Sequence, residues 1–400
     1  MNRYNKNIPE GTRDILYEDA ARMRDIAARF SAVYESEGFS PIMTPALEYY
    51  DTFDYTGQSI RQEEMYKLTD NYGRLIVLRP DNTTPTARII ATKLKEAPLP
   101  LKLYYNQNVY RINADYSGRR SEFMQSGIEF AGINGVKSDL FCLSTALKTL
   151  SALELDFKIE IGHVGFSEAL IASLALSTEE AATVRDYVNT KNTVMLGFLK
   201  TEKDLTMIKQ LPMLYGGEEV LEKAAKIGAG NEEALRALET VRMLYKSLNE
   251  SAFKGRIMID LGITRSIEYY TGVVFRGYIE GSGEAVLSGG RYDKLIRSFD
   301  YDIPATGFAI NVCMVADALK DKESIVQQEE RKCLIHFSVA SFGEAEAWQK
   351  ALQKEGYATE FSCFGTLEET LAYAKKANIS YVADVKKGET PLAKEIGVEI

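Results

Sequence analysis

Two short stretches in the first third of the chain carry the hydrophobic pattern of a β-hairpin. Residues 103–110 are rich in aromatic and branched side chains, and residues 123–130 alternate between two faces with a period of two. A polar turn separates them, so the sequence predicts two antiparallel strands joined by a loop. Arg111, Gln125 and Glu129 fall on one face of this hairpin.

Polar side chains on a strand that packs in a core need hydrogen-bond partners. The face that carries Gln125 and Glu129 is therefore either the wall of a binding site or a sheet face open to water. The second alternative is the commoner one for any single hairpin, and the pattern alone leaves both open.

Apolar residues with helical spacing lie near the N-terminus and predict a helix that ends at Gly38. They are Met23, Ile26, Ala27, Phe30, Val33 and Tyr34. Residues 39–45 follow as a short strand that ends in a proline.

A buried strand over residues 75–78 leads into a turn of sequence Arg-Pro-Asp-Asn-Thr, and a helix begins near Ala87. Asp81 and Thr83 lie in this turn. From the residues alone, either one caps the helix or belongs to a binding site.

Helical patterns dominate residues 167–250, where Ser177 and Glu180 have the spacing of a capping box. His163 has no second histidine nearby and is interpreted as structural. Strand character resumes at residues 257–261, and residues 307–315 are expected to open the last helix of this part of the chain.

The C-terminal part alternates strands with helices, which predicts a small parallel α/β unit. The predicted strands are residues 333–339, 358–361 and 381–385, and the predicted helices are residues 344–354 and 367–377. Residues 320–331 are charged and polar and fit a linker.

Composition and charge limit the classes of function that fit the chain. Its 400 residues are 45% hydrophobic, enough for a large core and more than one domain. A net charge of −9 fits nucleic acid poorly, because phosphate contacts need a basic face. Four scattered cysteines and two histidines form no zinc constellation and fit a reducing cytoplasm. The N-terminus lacks an apolar signal core, and no stretch is long enough to span a bilayer, so no membrane role is expected.

Four motifs resemble those of class II aminoacyl-tRNA synthetases of the histidyl type. Residues 110–132 resemble motif 2, residues 23–45 resemble motif 1, and the Gly-Gly-Arg turn in residues 288–293 resembles part of motif 3. The run Thr-Arg-Ser-Ile-Glu-Tyr-Tyr-Thr that opens residues 264–275 resembles the signature of histidyl-type members and is the most specific of the four.

The resemblance implies an α+β fold, with an antiparallel sheet flanked by helices. It implies a core over residues 1–320 that contains a helical insertion at about residues 167–250. Residues 331–400 are similar to a shortened anticodon-binding α/β domain.

The resemblance also implies a pocket for free histidine. Asp81, Thr83 and Gln125 would hold its amino group, Arg265 its carboxylate, and Glu129 and Tyr270 its ring. The full set of expected histidine-binding residues is Asp81, Thr83, Arg111, Gln125, Glu129, Arg265, Tyr269 and Tyr270. A satisfied polar network without a ligand is the other interpretation of the same residues.

The chain departs from the synthetases where they bind ATP. The motif 2 acid is replaced by Asn113, and the motif 3 arginine is replaced by Met314, whose thioether cannot neutralise a phosphate. Asp81 stands where the synthetases have a glutamate. With these changes the chain resembles the regulatory subunits of ATP phosphoribosyltransferase, which are paralogues of histidyl-tRNA synthetase.

That second resemblance implies a protein without catalytic activity of its own, in the cytoplasm, at the first step of histidine biosynthesis. The expected partner is the short-form catalytic subunit, in a hetero-octamer whose regulatory subunits form homodimers through the motif 1 region. Feedback by histidine is implied, and no tRNA, cofactor or metal is expected. Whether histidine binds in the pocket or at a subunit interface stays open.

Two other functions fit the same residues. One is an active but divergent histidyl-tRNA synthetase, which the retained Arg265 favours and Asn113 and Met314 disfavour. The other is a histidine-binding scaffold with a different partner.

Overall fold

The computed structural model describes residues 6–54, 60–112, 120–199, 201, 203–263, 270–320 and 331–388. The chain divides into two compact units, Met1–Asp321 and Lys322–Ile400.

Strands and helices alternate irregularly in the first unit and regularly in the second. The strands are β1 (Ser40–Pro41), β2 (Leu47–Tyr49), β3 (Lys67–Thr69), β4 (Leu75–Leu78), β5 (Leu101–Tyr110), β6 (Glu122–Ala131), β7 (Phe157–His163), β8 (Tyr215–Gly216), β9 (Ile257–Asp260), β10 (Val273–Ile279), β11 (Leu287–Arg291), β12 (Ala305–Asn311), β13 (Lys332–Phe337), β14 (Ala358–Phe361) and β15 (Tyr381–Val385). The helices are α1 (Tyr17–Ser36), α2 (Thr83–Thr92), α3 (Val136–Ser151), α4 (Val164–Ser173), α5 (Thr178–Asn189), α6 (Thr193–Phe198), α7 (Glu219–Ile227), α8 (Glu232–Asn249), α9 (Val312–Lys320), α10 (Phe342–Lys354) and α11 (Leu367–Lys376).

The first unit is organised around a nine-stranded sheet of order β1-β5-β6-β12-β11-β10-β7-β9-β8. The predicted α+β class with a large sheet and flanking helices is confirmed. The sheet is mixed rather than wholly antiparallel, because β1 pairs with β5 and β7 pairs with β9 in parallel. The predicted hairpin is confirmed as β5 and β6, paired from Leu101↔Ala131 to Tyr110↔Glu122.

Helix α1 covers one face of this sheet. It packs against β5, β6 and α9, and its buried residues are Met23, Ile26, Phe30 and Tyr34. The Tyr34 hydroxyl forms a 3.1 Å hydrogen bond with the Ser126 hydroxyl on β6, so a buried polar contact joins this helix to the sheet beside the apolar ones. Gly38 follows the helix with a φ of +83°, a conformation that favours glycine at this end.

A second sheet of order β2-β4-β3 lies in the same unit. Arg79 follows β4, is buried, and donates hydrogen bonds to the carbonyl oxygens of Thr44 at 2.6 Å and Asn108 at 2.7 Å. One buried guanidinium therefore joins the small sheet to the strand β5 of the large one.

The region predicted as helical contains α4 to α8 and also strand β8, which pairs with β9. The capping box at the start of α5 is confirmed, with Ser177 accepting from the Glu180 N–H and Glu180 accepting from the Ser177 N–H. Two residues are too few to show a strand period, which is why the pattern missed β8.

The start of the last helix in this unit is a correction. Residues 307–315 were expected to open it, but β12 continues to Asn311 and α9 begins only at Val312. The β12 residues are mostly buried on both faces, and periodicity cannot distinguish a short strand of that kind from a buried helix.

The second unit has a parallel sheet of order β14-β13-β15. Helices α10 and α11 pack on it, and its core cluster includes Cys333, Ile335, Ala345 and Trp348. The bounds of β14 and β15 agree with the prediction, whereas β13 ends two residues early because Val339 begins a 3-10 turn. Most of the predicted linker lies outside the described residues.

Arg291 and Asp139 form a buried ion pair in the first unit. The Arg291 guanidinium lies 2.8 Å from the Asp139 carboxylate and also donates to Ser138, with both charged side chains almost fully buried.

We predict that Arg291→Met lowers the free energy of unfolding by about 3–5 kcal/mol, because it leaves a buried carboxylate unpaired. Arg297→Met, which breaks an exposed contact of 3.9 Å with Asp302, is the control and is expected to cost about 0.5 kcal/mol or less. Urea unfolding followed by circular dichroism measures both, and equal costs would contradict the prediction.

Candidate functional site

A cavity of about 260 Å³ opens beside β6, β11 and β12, next to the turn that begins α2. This volume is slightly below the usual range for drug-sized ligands, so a smaller molecule fits it. Six of the eight predicted site residues line it together: Asp81, Thr83, Arg111, Gln125, Glu129 and Tyr270. The other two, Arg265 and Tyr269, lie outside the described residues.

Eleven other described residues line the cavity, and of these the sequence had connected Met314 and the 288–293 segment with the family's ligand sites. The eleven residues are Ile60, Phe123, Ala285, Val286, Ser288, Tyr292, Gly307, Phe308, Ala309, Asn311 and Met314. Tyr292 is the most informative residue that was not predicted to bind a ligand, because it directly follows β11 inside the 288–293 segment.

Asp81 has both of the roles that the sequence left open. Its carboxylate accepts hydrogen bonds from the Thr84 N–H at 2.8 Å and from the Thr84 hydroxyl at 3.2 Å, which caps the first turn of α2. The same side chain lines the cavity. Burial raises the pKa of Asp81, while the bonds from Thr84 and the charge of Arg111 oppose that shift.

Glu129 is a carboxyl group inside the central sheet, with 1% of its surface exposed. The Tyr292 hydroxyl donates to one of its oxygens, and the Tyr105 hydroxyl donates to the other at 3.3 Å. Thr83 also hydrogen-bonds to it. Burial raises the pKa of Glu129 to about 8, and the nearby charge of Asp81 contributes in the same direction.

Gly307 makes room for this carboxyl group. It pairs with Glu129 across β6 and β12, and a Cβ at position 307 would lie 2.1 Å from Glu129 Oε2. Any larger residue would displace the carboxyl group, so the backbone of β12 forms one wall of its site.

Arg111 supplies positive charge at the other end of the β6 face. Its Nε donates to the Pro80 carbonyl oxygen at 2.8 Å, and its guanidinium lies 5.5 Å from the centre of the Phe123 ring. Among the described residues that line the cavity, Arg111 is the only cation and Asp81 and Glu129 are the acids. The cavity therefore suits a small molecule that carries both an anionic and a cationic group.

The side of the cavity formed by α9 has no charge to offer a nucleotide. Met314 lines it, and its backbone N–H donates to Asn311 Oδ1 at 3.2 Å, which caps the helix. The Gly-Gly-Arg segment, expected to be a turn, forms the end of strand β11, and its Arg291 is held by Asp139 and does not line the cavity. The departure at Asn113 lies outside the described residues.

Three further observations limit other kinds of site. His163 Nδ1 accepts from the Gly165 N–H at 3.0 Å at the start of α4, and burial lowers its pKa to about 4, so it is structural as expected. Among the described residues, no cluster of three or more metal-ligating side chains is present. No helix of the described chain is both long and apolar enough to cross a bilayer.

Comparison with known proteins gives one consistent result. Residues 11–315 match the family model for histidyl-tRNA synthetase. An ATP phosphoribosyltransferase regulatory subunit from Clostridium botulinum is 40% identical over 404 residues, covering 99% of this chain and 96% of that protein. One from Clostridium acetobutylicum is 41% identical over 395 residues, covering 96% of each.

Solved structures agree with the sequence matches. The crystal structure of an ATP phosphoribosyltransferase regulatory subunit/histidyl-tRNA synthetase from Bacillus halodurans has a TM-score of 0.84 and 29% identity, with 96% of this chain and 99% of that chain covered. A histidyl-tRNA synthetase from Nostoc, at 21% identity and a TM-score of 0.76, shares the fold, with 95% of this chain and 91% of that chain covered.

The raised pKa of Glu129 has a consequence for stability. Between about pH 4.5 and pH 8 the folded chain keeps a proton on Glu129 that the unfolded chain has lost, so rising pH destabilises the fold. We predict that Glu129→Gln, which cannot ionise, becomes progressively more stable than the wild type over this range, by at most about 1.4 kcal/mol per pH unit. Urea unfolding at pH 5, 6.5 and 8 measures the difference.

Glu122→Gln is the matched control, because Glu122 lies on the same strand but does not line the cavity. Parallel pH profiles for Glu129→Gln and the wild type would show that the carboxyl group ionises normally.

Proposed function

Because the chain belongs to the family of ATP phosphoribosyltransferase regulatory subunits, we propose that it controls the short catalytic subunit of that enzyme and senses free histidine in the cavity described above. It is a regulatory subunit without catalytic activity of its own, and its pathway is histidine biosynthesis. One observation supports the histidine site above all others. The cavity keeps the acids Asp81 and Glu129, whereas Met314 replaces the cation that would bind a phosphate.

The charges of the cavity match those of an amino acid. A zwitterion with a basic side chain has one anionic and up to two cationic groups, and the described lining has one arginine and two acids. Without a ligand Glu129 keeps its proton near neutral pH, and a cationic group beside it would favour its ionised form. Each charge-assisted hydrogen bond to a ligand contributes roughly 1.5–3 kcal/mol. A triphosphate has the opposite requirement, and among the described lining residues Arg111 is the one cation that could neutralise it.

Control of a separate catalytic chain requires that histidine bind two states of the complex with different affinity. The cavity supplies a means, because Glu129 and Asp81 belong to different elements, β6 and the turn before α2. A cationic group between them would draw these elements together, and release of that group would let them separate.

All four cysteines are free, which fits the reducing cytoplasm in which we place this complex.

An exposed apolar face supports a homodimer within the proposed hetero-octamer. Leu47 and Tyr49 on β2 and Leu68 on β3 lie on one side of the small sheet, with 43–49% of their surfaces exposed. They adjoin the motif 1 segment, where Met43 is 88% exposed. We propose that a second copy of the chain covers this face, because contiguous exposed apolar side chains favour association.

The regulatory function is tested with the catalytic subunit. We expect the catalytic subunit to form phosphoribosyl-ATP faster when this chain is co-expressed with it, and we expect histidine to inhibit that complex. Glu129→Gln is expected to weaken histidine binding roughly tenfold or more, measured by calorimetry, and to shift the inhibition curve equally. Glu122→Gln, outside the cavity, is the control.

Two results would contradict this proposal in different ways. If Glu129→Gln leaves histidine binding and inhibition unchanged, histidine binds elsewhere. If the catalytic subunit neither associates with this chain nor changes its rate, the partner is wrong. Robust histidine-dependent pyrophosphate exchange by the chain alone would instead favour a synthetase.

The homodimer is tested by placing a charge on the apolar face. We predict that Leu47→Glu converts a dimer of this chain to a monomer at micromolar concentration, as measured by sedimentation velocity. Phe198→Glu is the control, because Phe198 is 75% exposed on α6 and lies outside that face. A Leu47→Glu chain that sediments as the wild type does would move the interface to another surface.

A further inference from the structure

Asn82 occupies the N-cap position of α2 but does not cap the helix. Its side chain makes no capping hydrogen bond, because the neighbouring Asp81 carboxylate already accepts from the Thr84 N–H. Asn82 is fully buried and does not line the cavity. Asparagine is a preferred N-cap residue, so its side chain is used here for something else.

The Asn82 amide joins the two strands of the hairpin. Its Nδ2 donates to the Gln107 carbonyl oxygen at 3.4 Å and to Gln125 Oε1 at 3.2 Å. Gln107 and Gln125 are directly paired across β5 and β6, so Asn82 lies over a single rung of the sheet.

These contacts determine which end of each amide faces which partner. The backbone carbonyl of Gln107 can only accept, so the amino end of Asn82 must face it. That amino group can only donate, so the atom of Gln125 that meets it must be the oxygen. Gln125 lines the cavity, and its amino end is the one left to meet a ligand there.

The packing around Asn82 excludes the reverse orientation of its amide. Asn82 Oδ1 is buried and has no hydrogen-bond partner in the described part of the chain. The amide keeps this orientation although that oxygen is unsatisfied, because the reverse would place two acceptors, Oδ1 and the Gln107 oxygen, against each other. Gln107 is fixed in turn, since its own side chain donates to the Thr44 carbonyl oxygen at 2.9 Å.

We propose that Asn82 is a positioning residue that holds Gln125 with its amino group toward the cavity, so that this wall takes the carboxylate of an amino acid. The inference rests on the proposed histidine site and refines it, because Gln125 was expected to meet the amino group instead. The Arg111 guanidinium lies over the Phe123 ring. Phe123 and Gln125 lie on the same face of β6, and two residues of a strand span about 7 Å. The two donors therefore lie toward one end of the cavity and Glu129 toward the other, which orients the ligand.

The test compares histidine with histamine, which keeps the ring and the amine but lacks the carboxylate. Calorimetry on the full chain gives the affinity of each. In Asn82→Leu the bridge is lost without a new charge, and Gln125 is free to turn. We expect the affinity for histidine to fall roughly tenfold relative to that for histamine, since a charge-assisted hydrogen bond to the carboxylate is lost.

Asn106→Leu is the matched control. Asn106 is another asparagine of the hairpin whose Oδ1 is buried and unsatisfied, but its Nδ2 donates to Ser31 away from the cavity. If loss of a buried amide merely loosens the sheet, both variants will weaken histidine and histamine together. The ratio of the two affinities is expected to change only in Asn82→Leu.

A double-mutant cycle with Gln125→Met shows whether Asn82 acts through Gln125. In the Gln125→Met background, Asn82→Leu is expected to leave the ratio of affinities unchanged. An unchanged ratio in the single Asn82→Leu variant, or equal further loss in the double variant, would overturn the inference. In that case Glu129→Gln separates two explanations. If it also leaves histidine binding unchanged, the proposed histidine site is wrong. If it weakens histidine binding, the site stands and only the role of Asn82 is wrong.

Discussion

The burial of Glu129 between β5 and β12 is the constraint on which the cavity depends. A carboxyl group inside a sheet is tolerated only when donors surround it, and here Tyr105, Tyr292 and Thr83 provide hydroxyl groups from three different elements. Gly307 must stay small for the carboxyl group to fit against β12. Burial of Glu129 therefore depends together on the register of the central strands, on Gly307 and on the two tyrosines.

The arrangement around Glu129 supports the proposal that the cavity binds an amino acid rather than a nucleotide. Glu129 on β6 and Asp81 in the turn before α2 supply the acids, and a cationic group of a ligand would be stabilised beside them. On the α9 side, Met314 offers dispersion contacts but no charge or hydrogen-bond donor. Arg291 does not compensate, because its guanidinium is committed to Asp139 and Ser138 within the protein. This distribution of charge fits the proposed role as a sensor of the pathway's end product.

The turn before α2 shows how two demands are met by adjacent residues. Asp81 both caps the helix and lines the cavity. Asn82 is therefore not needed as a cap, and its amide hydrogen-bonds to Gln125 instead. Helix stability and the proposed orientation of the ligand therefore depend on two adjacent positions. Arg79, two residues before Asp81, joins the same segment to β5.

The sequence by itself determined the local elements and the residues with a recognisable motif. Period-two alternation predicted β5 and β6, helical spacing predicted α1, and the bounds of β14 and β15 followed from short apolar runs. Asp81, Gln125 and Glu129 were found by their resemblance to family positions. These features depend on neighbours a few residues away, which a sequence displays directly.

Only the tertiary structure decided the long-range contacts. Tyr292 lies 163 positions from Glu129 in the chain, and no local pattern connects them. The enclosure of Arg291, the parallel pairs at the ends of the large sheet and the bridge from Asn82 to Gln125 likewise depend on which strands become neighbours. Periodicity states which face of an element is buried, but the partner across that face is chosen by the packing of the whole chain.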